Sequence, residues 1–209
     1  SIIQFQQSDQ RVVLNYDNPF TQAIGDAIDP SRRYWFSRTH TAIDQGATIQ
    51  KKGKDIHIRH DGMDEAICSV SDVSLFGAHN EENILAACTV GMIYGVSASA
   101  MREACSALRG VPGRLEHIGQ IDGRSIINDT TATSPDASVA ALKTYGGRSH
   151  RIVLIAGGAD KELDFSDMGR AIARYCKALI LLSGTASASL YYSAHAAGYT
   201  GSAAYANSM

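Results

Sequence analysis

With 209 residues, 44% of them hydrophobic and 19% charged, the chain is long enough for one large or two small domains with a buried core. Its formal net charge of −2 gives no global attraction to nucleic acid or to an anionic membrane, so neither is an expected partner and any phosphate binding has to be local. Four cysteines without a CxxC pair, no apolar run of transmembrane length and no signal-peptide pattern point to reduced, buried thiols and a cytoplasmic location.

Taken in chain order, strands and helices alternate. RVVLNY (11–16) reads as a buried strand and NPFTQAIGDAI (18–28) as a helix with Pro19 in its first turn. RRYWFSR (32–38) is the next strand, and 46–62 alternates on both sides of Lys52-Gly53 as a hairpin would. There His57 and His60 alternate with Ile56 and Ile58, which puts them on the exposed side of the strand. DVSL (72–75) reads as a short strand before a helix in which Ile84, Ala87, Cys88, Gly91 and Met92 share one face. A further helix covers about 97–108. RGVPGR (109–114) then looks like a hinge, dividing the chain into domains 1–108 and 109–209.

Beyond the hinge, LEHIGQIDGRSIIND gives two strands joined at Asp122-Gly123. A helix from about 134 to 145 follows, then the apolar strand RIVLIAGG (151–158), of the kind buried on both faces of a parallel sheet. The helix DFSDMGRAIARYC and the strand KALILLSG complete a β-α-β-α-β run, and a tail of small residues closes the chain. The implied fold class is α/β, with a doubly wound second domain.

Ligands of such sheets bind at the carboxyl ends of the strands. Two polar clusters fall there, NDTTATS (128–134) and GGADKELDF (157–165), both after strands expected to be parallel. Asn128, Asp129, Thr130, Thr131, Thr133 and Ser134 crowd the first of them. Short oxygens beside a helix N-terminus could orient an anionic or amino-acid ligand. Equally, Ser134-Pro135-Asp136 is a good helix start with Ser134 as N-cap, and Asp129 can satisfy its own turn.

The order VLNYDNP, FS, LFGAHNEENILAA, GR-E-IG, INDTTAT and IAGGADKELDF resembles the Mur ligase family, from about Arg11 to Phe165 and more weakly to Gly184. GAHNEENILAA and the ND-x-x-AT box are the specific parts. The box is similar to that of the branch that joins D-glutamate to UDP-N-acetylmuramoyl-L-alanine in peptidoglycan synthesis. The resemblance implies that 1–108 is the later part of a central, ATPase-type domain and 109–209 a Rossmann-like C-terminal domain, truncated at its end. It also implies ATP and magnesium as cofactors, and an acyl phosphate that the incoming amine attacks.

Residue by residue, the resemblance implies Asn80 and Asn83 against the adenine side of the nucleotide, Arg114 reaching the phosphates and Asp129 holding the ribose. Thr133, Lys161 and Phe165 would seat the D-glutamate, and 128–134 and Lys161 would share one cleft. No catalytic residue and no metal ligand is assigned within the chain. Read without the family, Asn80 is a helix cap, Arg114 a solvated charge, Lys161 part of a charge run with Asp160 and Glu162, and His79 structural.

Three departures qualify the resemblance. Gly113 stands where the family usually carries histidine, Thr131 where it often carries lysine, and no GxxxxGK[ST] phosphate loop occurs in the chain. The expectation is therefore a fragment of a ligase, inactive by itself. The alternatives are a free-standing, non-catalytic nucleotide- or partner-binding module, and a piece of a sister ligase with another acceptor amino acid.

Overall fold

The computed structural model describes residues 2–50, 54–75, 77–147 and 151–207. They form two compact units, Ser1–Arg109 and Gly110–Met209.

In the first unit, β1 (Val12–Asn15), β2 (Arg33–Ser37) and β3 (Gly46–Gln50) run parallel, and β4 (Asp55–His60) and β5 (Met63–Ser69) continue the sheet antiparallel in the order β1-β2-β3-β4-β5. Helix α1 (Pro19–Asp26) starts where Asn18 accepts the Phe20 N–H at 2.9 Å, with Pro19 supplying a preset φ at the first position. Helices α2 (Ala78–Ile93) and α3 (Ala98–Ala107) cover the sheet, the latter capped by Ser97. β3 and β4 pair as the alternation predicts, in register Gln50↔Asp55; the expected turn at Lys52-Gly53 lies outside the described residues.

Three expectations for this unit are corrected. DVSL is not a strand: Val70–Asp72 is a 3-10 turn in which Ser69 and Asp72 cap each other, the Ser69 N–H donating to Asp72 at 3.1 Å. Short oxygen-bearing side chains offered the backbone a local partner, and that partner won over the ladder. A strand not anticipated, β5, returns from β4 through Asp61-Gly62, both at positive φ. On α2 the buried side is Ile84, Leu85, Cys88, Thr89 and Met92, while Ala87 is exposed. Thr89 can sit on that side because its hydroxyl donates to the Leu85 carbonyl at 2.8 Å.

The second unit begins with a two-stranded antiparallel hairpin, β6 (Glu116–Ile121) and β7 (Arg124–Asn128), turning at Asp122 and Gly123, both at positive φ. After α4 (Pro135–Gly146) come β8 (Ile152–Ala156), α5 (Ser166–Tyr175), β9 (Cys176–Leu182), α6 (Ala186–Ala196) and β10 (Ser202–Ala206). The three strands form a parallel sheet in the order β10-β9-β8. This is an α/β, Rossmann-like arrangement, with two corrections to its parts. Among the described residues β7 pairs with β6 alone, antiparallel, because its two-residue turn supplies a local partner. The third parallel strand is instead β10, inside what reads as a featureless tail.

The core of this unit lies on one side of the sheet, where Leu154, Leu179 and Leu181 meet Leu142, Ile172 and Leu190. β8 was expected to be buried on both faces. Its outward residues Val153 and Ile155 are 45% and 47% exposed, since among the described residues no helix covers them.

Candidate functional site

The start of the second unit is held by the crowded oxygens of 128–134. Asp129 accepts the Leu115 N–H at 3.0 Å, and the Asn128 amide donates to Glu116 at 3.2 Å while its oxygen accepts the Thr130 N–H. Glu116 in turn accepts the Gly113 N–H at 2.8 Å. The Thr131 hydroxyl and N–H both donate to the Gly113 carbonyl, at 2.8 and 3.0 Å. Ser134 caps α4 through the Ala137 N–H at 3.3 Å. Most of the cluster therefore fastens segment 113–116 to the end of β7. These bonds bring Arg114 beside Asp129 in sequence-distant but adjacent turns, with the Arg114 side chain exposed.

Lys161 lies in the loop after the carboxyl end of β8. It is exposed and makes no ion pair among the described residues. The loop is shaped by close backbone approach to the end of β9: a Cβ on Gly157 would stand 2.6 Å from the Leu182 carbonyl oxygen, and one on Gly184 would stand 2.3 Å from that of Gly158. The Asp160 N–H donates to Thr185 Oγ1 at 2.8 Å, and Asp160 accepts the Glu162 N–H at 2.9 Å, so Asp160 is tied into the turn and is not a partner of Lys161. Phe165 immediately precedes α5 and packs on the core. Thr133 is exposed between β7 and α4, and no hydrogen bond joins it to Lys161 among the described residues.

In the first unit, Asn80 and Asn83 fall in the opening turns of α2. The cap position is Gly77, at φ 100°, and it provides no side-chain cap, so Asn80 is not the helix cap that its position in the sequence suggests. Asn83 is exposed, and Glu81 pairs with Arg38 at 2.6 Å. Sequence reasoning passed over a polar knot at the carboxyl ends of β1 and β2. There Asp17 accepts from Ser37 Oγ at 2.6 Å, Thr39 Oγ1 at 2.5 Å, His40 Nδ1 at 3.0 Å and the Arg38 N–H at 2.6 Å. Burial alone would raise the Asp17 carboxyl, but the bonds from Ser37, Thr39, His40 and Arg38 outweigh it and hold the pKa down at about 2. His57, half-buried, donates to Asp64 at 2.6 Å and shares that carboxylate with Arg59. Among the described residues no three His, Cys, Asp or Glu side chains are grouped to hold a metal ion, and no helix is long and apolar enough to cross a membrane.

A three-stranded parallel sheet with its helices on the core side, preceded by a hairpin, places the second unit in the α/β, Rossmann-like class. Residues 113–208 match the family described as "Mur ligase, glutamate ligase domain", and the chain belongs to the Mur ligase family. Within it, the chain is 40% identical over 189 residues to the UDP-N-acetylmuramoylalanine–D-glutamate ligase of Roseiflexus sp. (strain RS-1), covering 88% of this chain and 40% of that protein. It is 36% identical to the ligase of the same name from Thermoanaerobacter sp. (strain X514), over 88% of this chain and 39% of that one. The chain thus spans about two fifths of the length of the curated relatives it matches. In fold it is similar to UDP-N-acetylmuramoylalanyl-D-glutamyl-2,6-diaminopimelate–D-alanyl-D-alanyl ligase from Acinetobacter baumannii, with TM-score 0.64, 16% identity, and 97% of this chain and 44% of that one covered. Mycobacterium tuberculosis folylpolyglutamate synthase complexed with ADP is a more distant likeness, with TM-score 0.53, 17% identity and coverage of 83% and 39%.

Proposed function

We propose that the chain is the later, amino-acid-binding part of an ATP-dependent ligase that joins D-glutamate to UDP-N-acetylmuramoyl-L-alanine. The observation that carries this reading is Lys161, an exposed ammonium without a carboxylate partner among the described residues, in the loop after the carboxyl end of a parallel strand, in a domain of the glutamate ligase type. A lysine so placed offers a point charge to a substrate carboxylate. Thr133 supplies a hydroxyl and Phe165 a wall for the same amino acid.

The residues present fit a nucleotide in part. Arg114 is exposed, with a planar fork suited to phosphate oxygens. Asp129 spends Oδ1 on the Leu115 N–H, which fixes the carboxylate and leaves its other oxygen for a ribose hydroxyl. Asn80 and Asn83 would take the base. ATP, when bound, supplies the phosphoryl group that activates the acid. The chain's own work is to orient nucleotide and amine, and orientation contributes much of such a rate enhancement. No residue of the chain is named as a magnesium ligand: among the described residues no three His, Cys, Asp or Glu side chains are grouped to hold a metal ion.

The test is a chimera in which this chain replaces the matching two fifths of the Roseiflexus ligase. A folded chimera should release phosphate with D-glutamate and not with L-alanine or diaminopimelate. Preference for another amino acid would transfer the chain to a sister branch.

A further inference from the structure

Val111, Pro112, Gly113 and Arg114 make a β-turn: the Arg114 N–H donates to the Val111 carbonyl at 3.0 Å, Pro112 presets the second position, and Gly113 takes the φ of 75° that the third position of a type II turn requires. The residue after the turn, Leu115, is also left-handed, at φ 46°. Arg114 is therefore mounted between two left-handed residues. Glycine enters that region freely, whereas a leucine stays there only where its surroundings hold it. The other described non-glycine residues at positive φ, namely Lys54, Asp61, Asp122 and Glu162, all carry polar side chains; Leu115 has no polar side-chain group to fix its own backbone.

Its neighbours do so instead. The Leu115 N–H donates to Asp129 at 3.0 Å, and the Leu115 carbonyl accepts the hydroxyl of Tyr145, in the last turn of α4, at 3.4 Å. On the other side of the arginine, the Gly113 N–H donates to Glu116 at 2.8 Å and the Gly113 carbonyl accepts from both the hydroxyl and the N–H of Thr131. Partial burial, with a smaller push from the Asp129 carboxylate, raises the Tyr145 hydroxyl, so it remains a donor at neutral pH. The backbone on both sides of Arg114 is thus tied down, while the Arg114 side chain is exposed and makes no ion pair among the described residues.

We propose that Tyr145 and the left-handed Leu115 are positioning residues, which fix the backbone under Arg114 so that its guanidinium meets a nucleotide phosphate without first ordering the turn. The inference rests on the reading of Arg114 as the phosphate-binding residue, and it adds two residues to which that reading gives no ligand contact. A fixed mount matters for arginine because its planar fork makes two parallel bonds to phosphate oxygens in one orientation only. Ordering that is complete before the ligand arrives does not subtract from affinity.

The test has a structural and a kinetic arm. In the 209-residue chain, NMR relaxation should show the Arg114 and Leu115 amides as rigid as those of β6, and Tyr145→Phe should loosen both while leaving β9 unchanged. Amides that are mobile in the parent chain, or unmoved by Tyr145→Phe, would overturn the proposal. In the chimeric ligase, Tyr145→Phe should raise the KM for ATP roughly two- to ten-fold, as expected for one neutral hydrogen bond, and leave that for D-glutamate within about two-fold. Added to Arg114→Ala, it should change nothing further, because a positioning residue acts only through the arginine. Leu115→Val, a β-branched residue that the left-handed region disfavours, should raise the same constant, and Leu115→Gly should bring it back towards the parent value. A Tyr145→Phe effect that persists in full beside Arg114→Ala, or no effect where Arg114→Ala has one, would refute the positioning role. An Arg114→Ala variant with an unchanged KM for ATP would instead remove the phosphate reading on which the role depends. If Leu115→Val fails to fold, the Tyr145→Phe and Arg114→Ala pair still decides.

Discussion

The Thr131 hydroxyl donates to the Gly113 carbonyl at 2.8 Å, joining two positions 18 residues apart. Gly113 is buried at φ 75°, and a Cβ there would stand 3.1 Å from both Thr130 Oγ1 and Thr131 Cγ2. Glycine at 113 and threonine at 131 therefore form one arrangement. Gly113→His should cost about 1–2 kcal/mol from the left-handed backbone alone. Thr131→Val removes one of two donors to the same oxygen and should cost roughly 0.5–1.5 kcal/mol. Because the side chains touch, the double variant should deviate from additivity by at least about 0.5 kcal/mol in urea denaturation. Additive losses would show that the two positions are not energetically coupled.

The Asp17 knot gives the first unit an acid sensitivity. Its carboxyl is held at about 2 against an ordinary value of 3.8, so the folded state binds this proton less readily than the unfolded chain. The corresponding stability is fully present above about pH 4 and is lost as pH falls towards 2. After allowance for partial solvent screening, on the order of 1 kcal/mol is at stake. Urea midpoints taken from pH 5 down to pH 2 should fall less steeply for Asp17→Asn than for the parent. Equal slopes would place the acid sensitivity elsewhere.

What the sequence makes legible follows the range of the interaction. α1, α3, α4 and the 122–123 turn announce themselves through Pro19, Ser97, Ser134-Pro135 and Asp-Gly, signals acting within four residues. The same Asp-Gly signal at 61–62 marks β5 and could have been used. β10 and α6 are built of Ala, Ser and Tyr with little apolar periodicity, and only pairing with β9 makes Ser202–Ala206 a strand. For the site, Lys161 at the carboxyl edge of β8 is readable from strand order alone. The bonds of Asp129 to Leu115 and of Thr131 to Gly113 span 14 and 18 residues, and no local pattern encodes them. The Asp17 knot was missed for the same reason, since its donors come from the far end of another strand.

The open side of β8 and the buried side of α5 make a contrast. Ile155→Thr, on the exposed face, should change stability by no more than about 0.5 kcal/mol. Ile172→Ala, fully buried in α5 against the other face, should cost about 2–5 kcal/mol. Thermal denaturation of the two variants checks this. A large loss for Ile155→Thr would mean that the outward face is covered in solution.

The 209-residue chain contains no GxxxxGK[ST] motif, the loop that cradles β- and γ-phosphates in P-loop enzymes. It should release no phosphate from ATP above a blank, with or without D-glutamate and magnesium. Turnover by the purified chain, abolished by Arg114→Ala, would require a phosphate site built from other residues.

Lys161 separates amino-acid binding from nucleotide binding. Its ammonium stands free of protein carboxylates among the described residues, so removing it strands no buried partner and disturbs no packing. In the chimeric ligase, Lys161→Ala should remove one charge-assisted hydrogen bond to the amino-acid carboxylate, about 1.5–3 kcal/mol, which raises the KM for D-glutamate roughly ten- to a hundred-fold. The KM for ATP should stay within about two-fold, because in the proposed site the nucleotide belongs to Asn80, Asn83, Arg114 and Asp129. Arg114→Ala should show the reverse split. Lys161→Arg keeps the charge but changes a point donor into a planar fork, and should recover only part of the loss. A Lys161→Ala variant with both constants unchanged would remove Lys161 from the site and leave it a solvated charge, as its neighbours Asp160 and Glu162 alone would suggest.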